Sequence, residues 1–217
     1  MEKLFTMVNY FYLYRKLEKM KKLFLVAIVA SVALFSAWKT ADKKEDKTMY
    51  VLDTKASTLG WKGGKSADYF HIGQLSFSNG TVEMAGEKLV AGNFDIDMST
   101  IVVLDKGLPA DKAKALAGHL TQPEFFSTAL FPKISVVVNG YNDGMLFTTI
   151  SLLGQSIQQK LPVTMVKDTK GKMTVAGKFN VDLTALKIPG LQPDPESGQG
   201  ISPVIDFDLN LVLKAKK

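Results

Sequence analysis

The sequence predicts an all-β protein of antiparallel strands with one short helical insertion. Three observations carry this. From Tyr50 onward apolar residues recur at every second position, turn-forming residues separate the runs, and only the stretch around residues 109–120 carries a helical period. Phe94, Ile96 and Met98 alternate with Asn93, Asp95, Asp97 and Ser99. Ile157, Gln159, Leu161, Val163 and Met165 give a weaker run. Met173, Val175, Phe179, Val181 and Leu183 form another, and Ile205, Phe207, Leu209, Leu211 and Leu213 the last. Successive strand side chains point to opposite faces, so each run has one dry and one wet face, as in an antiparallel sheet covered on one side.

Turn chemistry falls at Asn79-Gly80, Ala85-Gly86-Glu87, Asn139-Gly140, Asp143-Gly144 and Asp168 to Gly171. This spacing leaves room for about eight strands between residues 50 and 214, closed as a barrel or stacked as a sandwich. The helical insertion opens at Pro109, and Ala113, Leu116, Ala117 and Leu120 form its apolar stripe. Thr121-Gln122-Pro123-Glu124 has the form of a capping box, leading into Phe125 and Phe126. Residues 185–203 hold four of the eight prolines, with Gly190, Gly198 and Gly200, and predict a long loop: a lid or a surface excursion.

The N-terminus reads as an address. Met20-Lys21-Lys22 precedes the apolar run Leu23–Phe35, which is short for a membrane-spanning helix and fits a secretory signal peptide, with cleavage after Ala33 or Ala37. Residues 1–41 are therefore assigned to an N-terminal extension and signal with Met20 as the expected start, 42–49 to a linker, and 50–217 to the folded domain. Export to the periplasm follows. Without any cysteine there is no lipoprotein anchor, disulfide, thiol chemistry or Cys-ligated metal.

The net charge of +6 is an N-terminal property, since residues 1–49 carry ten Lys/Arg against five Asp/Glu. Arg15 is the single arginine, so the body offers no arginine-bearing basic stripe, and nucleic-acid binding is not expected. Gly60 to Ser66 is one residue short of a phosphate-binding loop, lies among antiparallel strands, and reads as a glycine-rich hairpin. His71 and His119 are the only histidines and show no metal-ligand spacing; His71 is placed at a strand end and His119 at a helix end. Asp95/Asp97 and Asp206/Asp208 stand on wet strand faces, where solvated charge is the expected role. No catalytic residue, metal or cofactor is assigned.

Tyr50-Val51-Leu52-Asp53 with Ser57 and Trp61, Gly92-Asn93-Phe94 with Ile96-Asp97-Met98-Ser99, Gly118-His119-Leu120 with Pro123-Glu124-Phe125-Phe126 and Phe131-Pro132, and Leu152-Leu153-Gly154-Gln155 with Lys160-Leu161-Pro162-Val163 stand in one order along residues 50–214. In that order and spacing they resemble the YceI-like domain family, bacterial polyisoprenoid-binding, lipocalin-like barrels. Family members often carry a basic, glycine-rich segment before the last strand. Here Lys187 to Glu196 is proline-rich and mildly acidic instead. The resemblance implies an extended eight-stranded barrel, a periplasmic location and an apolar lumen holding an isoprenoid chain.

The expected function is non-catalytic binding of an isoprenoid-type lipid, as carrier or reservoir. The membrane enters only as lipid source, and the oligomeric state, a homodimer included, is left open. The expected lumen residues are Trp61, Phe94, Ile96, Met98, Phe125, Phe126, Phe179, Val181, Phe207 and Leu209. Two alternatives stand beside this: an enzyme on a small lipidic or quinone-like substrate using His71 or His119, and a structural or partner-binding barrel with a filled core and no cavity.

Overall fold

A computed structural model describes residues 46–66, 68–192 and 200–216. The signal segment and the start at Met20 lie outside these residues. The described chain runs β1 (Lys47–Leu52), β2 (Thr58–Gly64), β3 (Phe70–Ala85), β4 (Lys88–Val103), α1 (Ala110–Leu120), β5 (Lys133–Asn142), β6 (Met145–Leu152), β7 (Gln155–Pro162), β8 (Thr164–Lys167), β9 (Lys172–Asp182) and β10 (Val204–Ala215). Strand β1 begins inside the stretch read as linker, because Lys47 to Val51 pair with Ala85 to Thr81 of β3.

All strands belong to one sheet, in the order β7-β6-β5-β4-β3-β1-β10-β9-β8, with β2 pairing β10 and β3. The sheet wraps into a barrel. Ten strands are present where the pattern predicts about eight, and interruptions account for the excess. β1 and β2 lie end to end between β3 and β10, parted by the turn at Asp53–Ser57, where Asp53 Oδ1 accepts the Ala56 N–H and Ser57 Oγ donates to the Asp53 carbonyl. β7 and β8 are parted by Val163 alone, β7 pairing with β6 and β8 with β9.

Two expected turns are not turns. Asn79-Gly80 lies within β3 and Asn139-Gly140 within β5. Each stands at a β-bulge, between Phe77 and Asn79 and between Val138 and Gly140, where one strand carries an extra residue and the ladder continues. Gly80 is fixed by the Phe94 ring, which occupies the space a Cβ would need. The Gly86, Asp143-Gly144 and Asp168–Gly171 turns form as expected, with positive φ at Gly86, Asp143, Gly144 and Gly171.

The chain leaves the same end of the barrel after β2, β4, β6 and β9. The opposite end is packed solid by Tyr50, Val82, Met84, Met173 and Leu213, each buried. α1 sits at the looped end and lays Ala113, Leu116, Ala117 and Leu120 against the core. Pro109 stands at its cap rather than in its first turn. The expected capping box does not form: Thr121 Oγ donates backward to the Gly118 carbonyl at 2.6 Å, a carbonyl that also accepts the Thr121 N–H, and the chain turns through backbone bonds such as Phe125 N–H to Gln122 O.

The expected structureless loop is partly a plug. Short 3-10 turns span Thr184–Leu186 and Pro189–Leu191. Leu186, Ile188 and Leu191 are buried, Gln155 Nε2 donates to the Leu186 carbonyl, and the Gly190 N–H donates to the Glu124 carbonyl at 2.8 Å. A Cβ on Gly190 would meet the Phe125 ring at 2.5 Å, so only glycine lets this segment close over the aromatic.

Candidate functional site

The barrel encloses a cavity of about 310 Å3. That falls at the lower end of the roughly 300–1,000 Å3 typical of ligand pockets. Its walls come from the inward positions of the strands, so the period of two in the sequence becomes a continuous apolar lining. All ten residues expected in the lumen stand on this wall: Trp61, Phe94, Ile96, Met98, Phe125, Phe126, Phe179, Val181, Phe207 and Leu209. Leu161 and Leu183, which stand in the alternating runs but outside the expected lumen set, also contribute, as do Ile150 and Leu191, which the runs do not include. Leu191 is the least foreseeable, because its proline-rich segment has no strand period.

The aromatic residues hold one another. Phe77 and Phe94 meet edge to face at 6.3 Å, and Phe179 and Phe207 lie 6.1 Å apart across the β9–β10 ladder. Trp61 is buried, and its indole N–H has no acceptor among the described residues, so packing alone positions the ring. Deep in the cavity the polar lining residue is Thr148, whose hydroxyl donates to the Gln159 carbonyl at 3.0 Å.

Polarity gathers at the looped end, where Lys65, Tyr69, His71 and His119 reach the cavity. His71 Nδ1 lies 2.5 Å from Asp105 Oδ2, and Asp105 Oδ1 accepts the Ile72 N–H at 2.7 Å. One carboxylate thus ties the loop after β4 to the start of β3 and fixes the imidazole by one nitrogen. His119 closes α1 and packs edge to face on Phe125 at 4.9 Å. Gly60 to Ser66 forms the end of β2 and the turn into β3, closed by Lys65 N–H to Tyr69 O at 2.9 Å, not a phosphate cradle at a helix start.

The wet-face carboxylates are occupied. Asp95 accepts from Asn79, Ser135 and Lys133, at 2.9, 2.8 and 3.1 Å. Burial pushes its carboxyl up, and those three hydrogen bonds outweigh it and hold it below the usual aspartate value. Asp97 accepts from Ser99, and Asp208 pairs with Lys178 at 2.7 Å. No cluster of three metal-ligating side chains occurs among the described residues.

A blind barrel with an apolar lining and a polar mouth sets the frame for comparison with known proteins. The YceI-like domain model matches residues 50–213. The chain belongs to the YceI-like domain family. Among solved structures, this YceI-like chain is similar to a polyisoprenoid binding domain from Saccharophagus degradans implicated in plant cell wall breakdown, at 15% identity and a TM-score of 0.56, covering 77% of this chain and 98% of that one. It is also similar to BcnA of Burkholderia cenocepacia, at 15% identity and a TM-score of 0.59, covering 74% and 98%. No curated protein matches the sequence. At these identities the structural likeness speaks for the fold alone.

Proposed function

We propose that the protein binds one isoprenoid-type lipid, tail inward, as an exported periplasmic carrier or reservoir. The observation that carries this is the cavity: enclosed by apolar side chains from nearly every strand, blind at one end, and polar only where it reaches the surface. Each methylene moved there from water contributes about 0.8 kcal/mol, so a five-carbon isoprene unit contributes about 4 kcal/mol before the cost of ordering the chain. The head group then sits among Lys65, Tyr69, His71 and His119. The filled-core alternative predicts no cavity and loses its basis.

The His71–Asp105 pair is the observation that favours the enzyme reading, since a carboxylate-held imidazole can act as base or acid.

Native mass spectrometry on protein purified from the periplasm, with organic extraction, tests the proposal. A bound species with isoprenoid mass increments is the expected result. A ligand-free mass that persists after incubation with polyprenol overturns it. Turnover of a quinone-like lipid that disappears in His71→Ala supports the enzyme reading.

A further inference from the structure

Six of the eleven large hydrophobic residues exposed among the described residues stand at the open end: Tyr69, Phe70, Val102, Leu104, Leu130 and Val204. Tyr69 is 61% exposed and Leu104 52%. Phe70, Val102, Leu104 and Val204 form a band on the outer wall, and Tyr69 stands where that wall meets the cavity mouth. Along β3, His71 faces the cavity, so its neighbours Phe70 and Ile72 face out. Leu104 donates its N–H to the Ile72 carbonyl, and Val102 is registered with Gln74. On the other flank Lys62 is registered with Ile72 and with Asp206 of β10.

The lysines of this rim lie over its aromatic rings: Lys62 Nζ is 3.9 Å from the Phe70 centroid and Lys65 Nζ 5.8 Å from that of Tyr69. The rim carries Lys62, Lys65 and Lys106 together with Asp68, Asp206 and Asp182, of which Asp182 accepts the Thr184 N–H, while Asp105 is taken by His71 and the Ile72 N–H. Aromatic rings with ammonium groups beside them suit the boundary between acyl chains and head groups, where rings sit at head-group level and lysine amines reach anionic phosphates. The turn that presents Tyr69 is tied down by Lys65 and Ser66 N–H to the Tyr69 carbonyl and by Tyr69 N–H to Ser66 Oγ.

We infer that this rim is a docking surface for an anionic lipid bilayer, seating the cavity mouth on the membrane so that an isoprenoid chain passes between them without crossing water. The inference builds on the lipid-binding reading and is tested apart from it. The probes are vesicles of phosphatidylcholine alone and of equal phosphatidylcholine and phosphatidylglycerol, with the full chain and its Phe70→Ser/Leu104→Ser variant, both positions being exposed and neither on the cavity wall. Circular dichroism melts confirm that the variant folds.

The wild type is expected to sediment with the anionic vesicles and weakly with the neutral ones. The variant is expected to lose binding by roughly ten-fold per residue removed. Polyprenol uptake separates the two readings. The variant takes the lipid from detergent micelles as the wild type does, but slowly from vesicles. Wild type that does not sediment, or a variant that sediments equally, overturns the docking surface even where micellar uptake succeeds. Failure of uptake from both sources overturns the carrier reading and leaves the sedimentation result to judge the rim. A concentration-dependent dimer that the variant abolishes, without vesicle binding, assigns the band to a second copy and overturns it too.

Discussion

Asp95 shows what a wet-face carboxylate does here. It stands on β4 and joins the neighbouring strands β3 and β5 through Asn79, Ser135 and Lys133. Because its folded carboxyl is held below the value near 3.9 of an unfolded aspartate, its stabilisation is complete above that pH and is lost as pH falls through the lower folded value. Asp95→Asn should cost about 1–2 kcal/mol at neutral pH. Thermal melts of the two proteins should converge below about pH 4; a gap unchanged at low pH would mean the ionised form contributes nothing. Phe179 is the better test of the cavity. It is half-buried, stacked near Phe207, and lines the lumen, whereas Phe94 is buried deeply enough that a charge would threaten the fold. Phe179→Asp should fold and retain no lipid on extraction; lipid retained by a folded variant would remove Phe179 from the binding wall. Neither role follows from local sequence alone. The alternation around Phe94 and Phe179 marks an inward face, but an inward face can be core or lumen. The His71–Asp105 contact joins residues 34 apart and leaves no local signal.

At the scale of elements, β9, β10 and the Phe94–Met98 stretch of β4 were legible because a barrel wall wets one face and dries the other, and nothing interrupts the period there. β3 was legible only at its start, around His71, and β5 not as a strand at all, because each carries an Asn-Gly pair that reads as a turn. An Asn-Gly pair accepts the backbone of a tight turn, and here the strand-to-strand ladder overrides that preference and absorbs the pair at a bulge. The segment 184–191 was the hardest to read, since prolines and glycines mark loops and its three buried residues fit neither a strand nor a helix period. Its stability rests on Ile188, among the most completely buried side chains. Ile188→Ala should cost about 2–4 kcal/mol through the void it leaves. It should also shorten lipid residence, because Leu191 beside it lines the cavity. Off-rates measured after loading check this; an unchanged off-rate would confine Ile188 to the fold.

At the scale of the molecule the informative quantity is unfilled volume. A dry apolar cavity forfeits dispersion contacts on its lining, so the empty protein is less stable than its burial pattern suggests, and a ligand restores what is missing. Filling the space covalently should do the same. Ile150→Phe, on the cavity wall, should stabilise the empty protein by about 0.5–2 kcal/mol and reduce lipid capacity. Denaturation of ligand-free wild type and variant, with polyprenol titration of each, decides it. A destabilised variant that binds lipid normally would show that the volume is not available to a side chain. This volume was not legible in the sequence, which marks which residues face inward but not how far apart the walls stand.

The packed end formed by Tyr50, Val82, Met84, Met173 and Leu213 makes the lumen a sleeve with a stopper. Such a sleeve is a gauge: a chain shorter than its depth leaves a void behind the tip, and a longer one leaves its surplus outside. A chain held there would sit alone and in one polarity, its tip entering by the single opening first and leaving it last.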